Sequence, residues 1–175
     1  MNDPINISVL GASGRMGRML LKAVMENKRA KLVGATERDD HHWIGQDIGY
    51  LISGKKNGIL VSNKPHEVLL KSQALLDFTH PNVSLDYSTL TAQARLIHVI
   101  GTTGFSKPQL KKIKLAAQHA TIIRAGNMSL GVNLLTLLTK RVARALGEEY
   151  DIEILEMHHN KKIDAPSGTA LMLGE

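Results

Sequence analysis

The segment Val9-Leu10-Gly11-Ala12-Ser13-Gly14-Arg15-Met16-Gly17 constrains this chain more than any other. An apolar run of strand length, Ile5 to Leu10, leads into it. A helical pattern leads out, Arg15 to Glu26, with Met16, Met19, Leu20, Ala23 and Val24 on one face. Gly11 fits a tight turn, Gly14 a close approach to the backbone, and Gly17 close packing of helix on strand. A helix starting there offers its first amides and a partial positive charge to whatever lies beyond the strand. Such a junction commits the chain to a layered α/β fold.

The remaining pattern repeats the theme. Strands are expected at Lys31–Thr36, Ile59–Val61, Ala74–Phe78, Leu96–Ile100 and Thr121–Ile123. Helices are expected at His66–Lys71 after Pro65, at Val83–Ala94 capped by Asn82, and after Ser106 with Pro108 in the first turn. Residues 38–58 are polar and aperiodic and read as a long loop. Strands alternating with helices imply a doubly wound, Rossmann-type parallel sheet with right-handed crossovers. The rhythm changes near residue 128. Leu130 to Leu146 is the longest helical pattern, stopped by Gly147. Tyr150 to Met157 alternates and reads as a strand, and Ser167 opens a further helix. The expected division is therefore a dinucleotide-binding domain over 1–128 and the start of an α+β substrate domain over 129–175.

Composition narrows the classes. Hydrophobic residues make up 43% of the 175, enough for a core, while aromatics are only 3%, so that core is aliphatic. Without cysteine there are neither disulfides nor thiolate metal sites, and a cytoplasmic setting is expected. No apolar run reaches membrane-spanning length, and no signal segment is read. The net charge of +6 is spread along the chain, and so few aromatics give no stacking platform for single strands. A small polyanion is the expected partner, not nucleic acid or a membrane.

Glu37 stands twenty residues after Gly17, at the end of the second expected strand. A carboxylate there suits the adenosine ribose of a dinucleotide, and the adjacent Arg38 suits a 2′-phosphate, so NADH or NADPH is the expected cofactor. Gly101-Thr102-Thr103-Gly104 and Ala125-Gly126-Asn127-Met128 follow later strands and are candidate walls for the nicotinamide. The chemistry concentrates in Glu156-Met157-His158-His159-Asn160-Lys161-Lys162, followed by Ser167-Gly168-Thr169. Two imidazoles, two ammonium groups and a helix start suit proton transfer to a substrate with more than one carboxylate. Zinc is not expected, since neighbouring residues on a strand face opposite ways and no third ligand is evident. His41-His42 reads as solvated.

Four segments together resemble the dihydrodipicolinate reductase family: the GASGRMG loop at Gly11–Gly17, Gly101–Gly104, Asn127-Met128-Ser129-Leu130-Gly131-Val132-Asn133, and Glu156 through Ala170. The resemblance implies hydride transfer from NADH or NADPH to the ring of a small cyclic dicarboxylate, 4-hydroxy-tetrahydrodipicolinate, in diaminopimelate and lysine biosynthesis. It implies that His158 is the proton donor and acceptor, Lys162 the partnering proton donor, and His159 a substrate contact. Ser167, Gly168 and Thr169 would hold a carboxylate. Gly11, Ala12, Ser13, Gly14, Arg15, Met16, Glu37, Arg38, Gly101, Thr102, Thr103, Ala125, Gly126, Asn127 and Met128 would line the cofactor site. Asn160 and Lys161 replace an arginine and a histidine frequent in the family, and Met128 replaces an aromatic. Family members continue beyond residue 175 and are homotetramers, so this length is expected to bind nucleotide and to reduce substrate poorly. A nucleotide-sensing protein without catalysis is the competing expectation.

Overall fold

The computed structural model describes residues 3–158, 160 and 165–175. These form two compact units, Met1–Arg124 and Ala125–Glu175.

The first unit is a six-stranded, wholly parallel sheet: β1 (Ile5–Leu10), β2 (Ala30–Thr36), β3 (Val61–Ser62), β4 (Ala74–Asp77), β5 (Ile97–Ile100) and β6 (Thr121–Arg124). Its strand order is β3-β2-β1-β4-β5-β6. That is the doubly wound order, in which the direction of winding reverses between β1 and β4 and opens a crevice at their carboxyl ends. Crossovers are supplied by α1 (Arg15–Glu26), α2 (Ile48–Ser53), α3 (Pro65–Leu69), α4 (Pro81–Ala94) and α5 (Lys107–Ala116). The main apolar core joins α1 to the sheet through Val9, Leu21, Val24, Leu32 and Ala35, and Trp43 and Ile48 close it from the β2–β3 connection.

That connection differs from its expected form. Residues 38–58 contain α2, whose N-cap Asp47 accepts backbone N–H groups of Tyr50 at 3.0 Å, Asn57 at 3.1 Å and Gly58 at 2.8 Å. One carboxylate gathers three amides and starts a helix of a single short apolar set, Ile48, Leu51 and Ile52, which packs on the core. The following strand shifts to Val61–Ser62, because pairing with Ala35 and Thr36 sets its register. The cap of α4 is His80, whose Nδ1 accepts from Asn82 N at 3.4 Å, since Pro81 takes the first helical position. Ser106 caps α5 as expected, in a full capping box with Gln109.

The second unit holds α6 (Leu130–Leu146), a 3-10 turn at Gly147–Glu149, and α7 (Gly168–Gly174). The strand expected over 150–157 is not formed. Alternating side chains make a strand only when a neighbour takes up the backbone N–H and C=O groups, and none of the unit's described residues is in a strand past β6. Apolar residues of α6 stay exposed, Leu130 at 86% and Leu137 at 63%. Among the described residues, every fully buried hydrophobic side chain lies in the first unit.

Beneath the crevice lies a polar cluster. Asp77 and His98 are both fully buried, and His98 Nε2 donates to Asp77 Oδ2 at 3.1 Å. The other carboxylate oxygen accepts Thr79 Oγ1 at 2.6 Å, Thr79 N at 3.0 Å and Thr102 Oγ1 at 3.4 Å. Burial pushes this carboxyl up, but the bonds from His98, Thr79 and Ser84 together outweigh it and hold it below the ordinary carboxylate range.

Two predictions concern this frame. A Cβ on Gly17 would sit 2.0 Å from Gly11 O. Gly17→Ala is therefore expected to lower unfolding free energy in urea by about 1–3 kcal/mol through forced separation of α1 from the loop. Asp77→Ala leaves His98 buried without its anion and is expected to cost about 3–5 kcal/mol at neutral pH. Because the folded carboxyl lies below its unfolded value, its contribution is complete above about pH 4 and fades as pH falls through the folded value. The stability gap between wild type and Asp77→Ala should therefore narrow only in acid.

Candidate functional site

A cleft of about 510 Å³ opens at the carboxyl ends of β1, β2 and β4. Its walls include Gly11, Ser13 and Gly14 after β1, Glu37 and Arg38 after β2, and Phe78 and Thr79 after β4. Gly11 has φ of +65°, and a Cβ there would meet Thr79 Cγ2 at 2.9 Å. The left-handed turn and the close wall both require glycine. The loop then enters α1, whose earliest backbone acceptance is Arg18 N to Gly14 O at 3.0 Å. The amides of Arg15, Met16 and Gly17 precede any intrahelical acceptor and face the loop end of the helix.

Glu37 meets this loop directly. Its Oε2 accepts Ser13 N at 2.9 Å and Ser13 Oγ at 2.7 Å. Partial burial raises the carboxyl, yet Ser13's hydroxyl and amide, with Arg38's amide and the nearby His41, hold it below its ordinary value. It is therefore a carboxylate throughout the physiological range. Of the residues expected to hold a nucleotide, Gly11, Ser13, Gly14, Glu37 and Arg38 line this cleft. Ala12 is fully buried in the core, and its N–H donates to Thr36 O at 3.0 Å. Arg15 and Met16 are exposed on the first turn of α1, and Arg38 is exposed at the cleft edge. Thr102 is nearly buried and bonds to Thr79 N at 3.0 Å and Ser84 Oγ at 2.9 Å, so the Gly101–Thr103 turn is tied to the Asp77 cluster. Gly101 packs flat on Phe78, where a Cβ would fall 2.0 Å from the ring.

The cleft also contains residues that the sequence pattern did not single out. Thr79, Tyr87 and His41 all line it. Tyr87 OH donates to Thr36 Oγ1 at 3.2 Å, and burial raises its phenol above the usual value. His41 is half-buried, not solvated. A turn at Asp39-Asp40 folds the chain back so that His41 N reaches Arg38 O at 3.1 Å. A separate cleft of about 590 Å³ beside β3 contains none of the expected site residues.

The second unit assembles its own cluster. Glu156 accepts Ser167 N at 2.7 Å on one oxygen, and on the other it accepts the Ser167 hydroxyl. The same second oxygen lies 3.3 Å from His158 Nδ1. Ser167 is 1% exposed and also accepts Ala170 N at 3.0 Å, so its hydroxyl is spent on Glu156 and on capping α7. Glu156 is the member that residue type alone did not mark as functional. Asn127 Nδ2 donates to Thr169 Oγ1 at 3.0 Å, and the backbone of Gly126 lies against that of Gly168. Ala125 and Met128 flank that contact, Met128 exposed. His159 and Lys162 lie outside the described residues. Among the described residues no three His, Asp or Glu side chains gather as a metal centre would need, and no helix is long and apolar enough to cross a membrane.

Comparisons with known proteins cover the whole of this arrangement. The family model for the N-terminus of dihydrodipicolinate reductase matches residues 5–128, and the model for its C-terminus matches residues 131–175. A 4-hydroxy-tetrahydrodipicolinate reductase of Dinoroseobacter shibae is 56% identical over 100% of this chain and 65% of its own length. One from Brucella abortus is 51% identical over 98% of this chain and 64% of its own. The chain thus spans just under two thirds of the curated relatives it matches. Among solved structures, a dipicolinate-bound dihydrodipicolinate reductase from Paenisporosarcina sp. TG-14 superposes with a TM-score of 0.70 at 30% identity, over 97% of this chain and 64% of that one. An amine dehydrogenase from Mycobacterium smegmatis, at 20% identity and a TM-score of 0.63 over 78% of this chain and 44% of its own, shares the fold. A glycine loop answered by Glu37, an acid-held His158 and two adjoining family matches lead to one conclusion: this chain belongs to the dihydrodipicolinate reductase family.

Proposed function

We propose that the chain carries the nucleotide site and the proton-transfer segment of an NAD(P)H-dependent 4-hydroxy-tetrahydrodipicolinate reductase, which yields tetrahydrodipicolinate for diaminopimelate and lysine synthesis in the cytoplasm. The observation that carries this reading is the Glu156 cluster, which joins His158 to the Ser167 turn inside a segment matched by the family's C-terminal model. The cleft after β1 and β2 fits a dinucleotide. It is glycine-lined where a pyrophosphate approaches, it adjoins the start of a twelve-residue helix, and it presents an ionised Glu37 for the ribose.

When bound, the nicotinamide supplies the hydride. The chain's own residues do the rest. Arg15 and Met16 offer amides to the phosphates, Ser13 and Gly14 shape the loop through their own bonds to Glu37 and Gly11, and Thr79 and the Gly101–Thr103 turn are held rigid by the buried Asp77. Ala125 through Met128 complete the cofactor contacts. His158 exchanges the proton at the substrate. Glu156, by accepting from Nδ1, fixes the ring so that Nε2 is the exchanging nitrogen. Lys162 is the partnering proton donor and His159 a substrate contact. Gly168 and Thr169 meet a substrate carboxylate at the start of α7, and Ser167 sets the shape of that turn. The substrate is a small dicarboxylate, and the full-length assembly is a homotetramer.

The reading is tested by following nicotinamide absorbance as 4-hydroxy-tetrahydrodipicolinate is added to the protein with NADH or NADPH. His158→Ala is expected to lower kcat about 10²- to 10⁴-fold, with nucleotide affinity unchanged. Glu156→Gln should lose less, because the amide still reaches Ser167 but orients the imidazole poorly. Unaltered turnover in His158→Ala would overturn the assignment. Turnover is expected to fall below that of the Dinoroseobacter relative at similar nucleotide affinity, since the described residues of 125–175 bury no hydrophobic side chain fully to steady the substrate side.

A further inference from the structure

The cleft wall beyond Glu37 is more strongly built than a surface loop requires. His41 Nδ1 accepts the N–H of Trp43 at 3.2 Å, and the two rings meet edge to face with centroids 6.0 Å apart. On its other side His41 stacks on His42 at 4.4 Å. Trp43 is itself buried, and the Arg18 guanidinium lies 4.5 Å over its ring. Arg18 Nε in turn donates to Ser13 O at 2.9 Å. One tryptophan therefore ties the glycine loop to the His41 turn. Because Nδ1 is an acceptor, a neutral His41 carries its hydrogen on Nε2 and is a donor there.

We propose that His41 is a specificity-determining residue that, with Arg38, receives the 2′-phosphate of NADPH at the adenosine end of the cleft. The inference rests on the nucleotide reading given above. A carboxylate at the end of β2 marks the adenosine ribose, so a 2′-phosphate lies against the residues that follow it. Glu37 repels that phosphate, and exposed Arg38 is free to swing; Asp39 and Asp40, also exposed, add repulsion that water screens. A packed donor in the same wall fixes the phosphate where a mobile cation alone does not. A cofactor lacking the phosphate asks nothing of His41, which makes the residue selective.

The test is calorimetric titration of the protein with NADPH, NADH and adenosine 2′,5′-bisphosphate, with Trp43, the only tryptophan, as a second reporter by fluorescence. His41→Ala is expected to weaken NADPH and the bisphosphate about tenfold and NADH less than about twofold, the loss of one hydrogen bond to a charged group. His41→Asn, which keeps an N–H donor, should recover part of the loss. Equal weakening of NADPH and NADH in both variants, or no change in either, overturns the role of His41 and leaves the cleft reading standing. A wild-type protein that binds neither nucleotide overturns both.

Discussion

The approach of α1 to the turn after β1 governs the rest of the first unit. Gly17 lies so near Gly11 O that no side chain fits between them. This contact seats the helix on the sheet. It also aims the first amides of α1 past the end of β1 and leaves Gly11 to turn in the left-handed region against Thr79. With β1 so placed, β2 and β4 flank it on either side, and their ends become the walls of the cleft.

Two acids then organise the chemistry in different ways. Asp77 is buried and satisfied, so it serves as a rigid post for Thr79 and Thr102. Its anion persists without solvent only because several donors converge on it. Glu156 is partly exposed and shares its oxygens between Ser167 and His158, which couples the start of α7 to the proposed proton carrier. Glu37 stands between these cases: a carboxylate held by the glycine loop and open to a ligand.

Much of the fold was legible in the sequence. Buried strands and amphipathic helices leave periods of their own, and β1, α1 and α6 fall where those periods place them. Helix α2 escaped notice because its apolar set, Ile48, Leu51 and Ile52, spans little more than one turn inside a polar, glycine-containing stretch, and Asp47 caps it. The strand over 150–157 failed for the opposite reason: the period is present and no partner strand lies among the unit's described residues. In the site, Glu37 was visible from its distance to Gly17, whereas His41 was not, because its place in the cleft comes from a turn and from packing on Trp43. The family resemblance marked Ser167 as a substrate contact, and the structure shows its hydroxyl committed to Glu156 and Ala170.

The sequence by itself determined the parallel α/β sheet, the glycine turn, the ionisable residues and their family. These follow from local period and from spacing along the chain, which backbone geometry converts directly into structure. The tertiary structure alone decided which polar groups meet. Asp77 with His98, Glu156 with Ser167, and Arg18 over Trp43 are separated by eleven to twenty-five residues, and no local rule links them. Burial is the reason: a polar group taken from water must find a partner, and only the folded chain shows which one lies within reach.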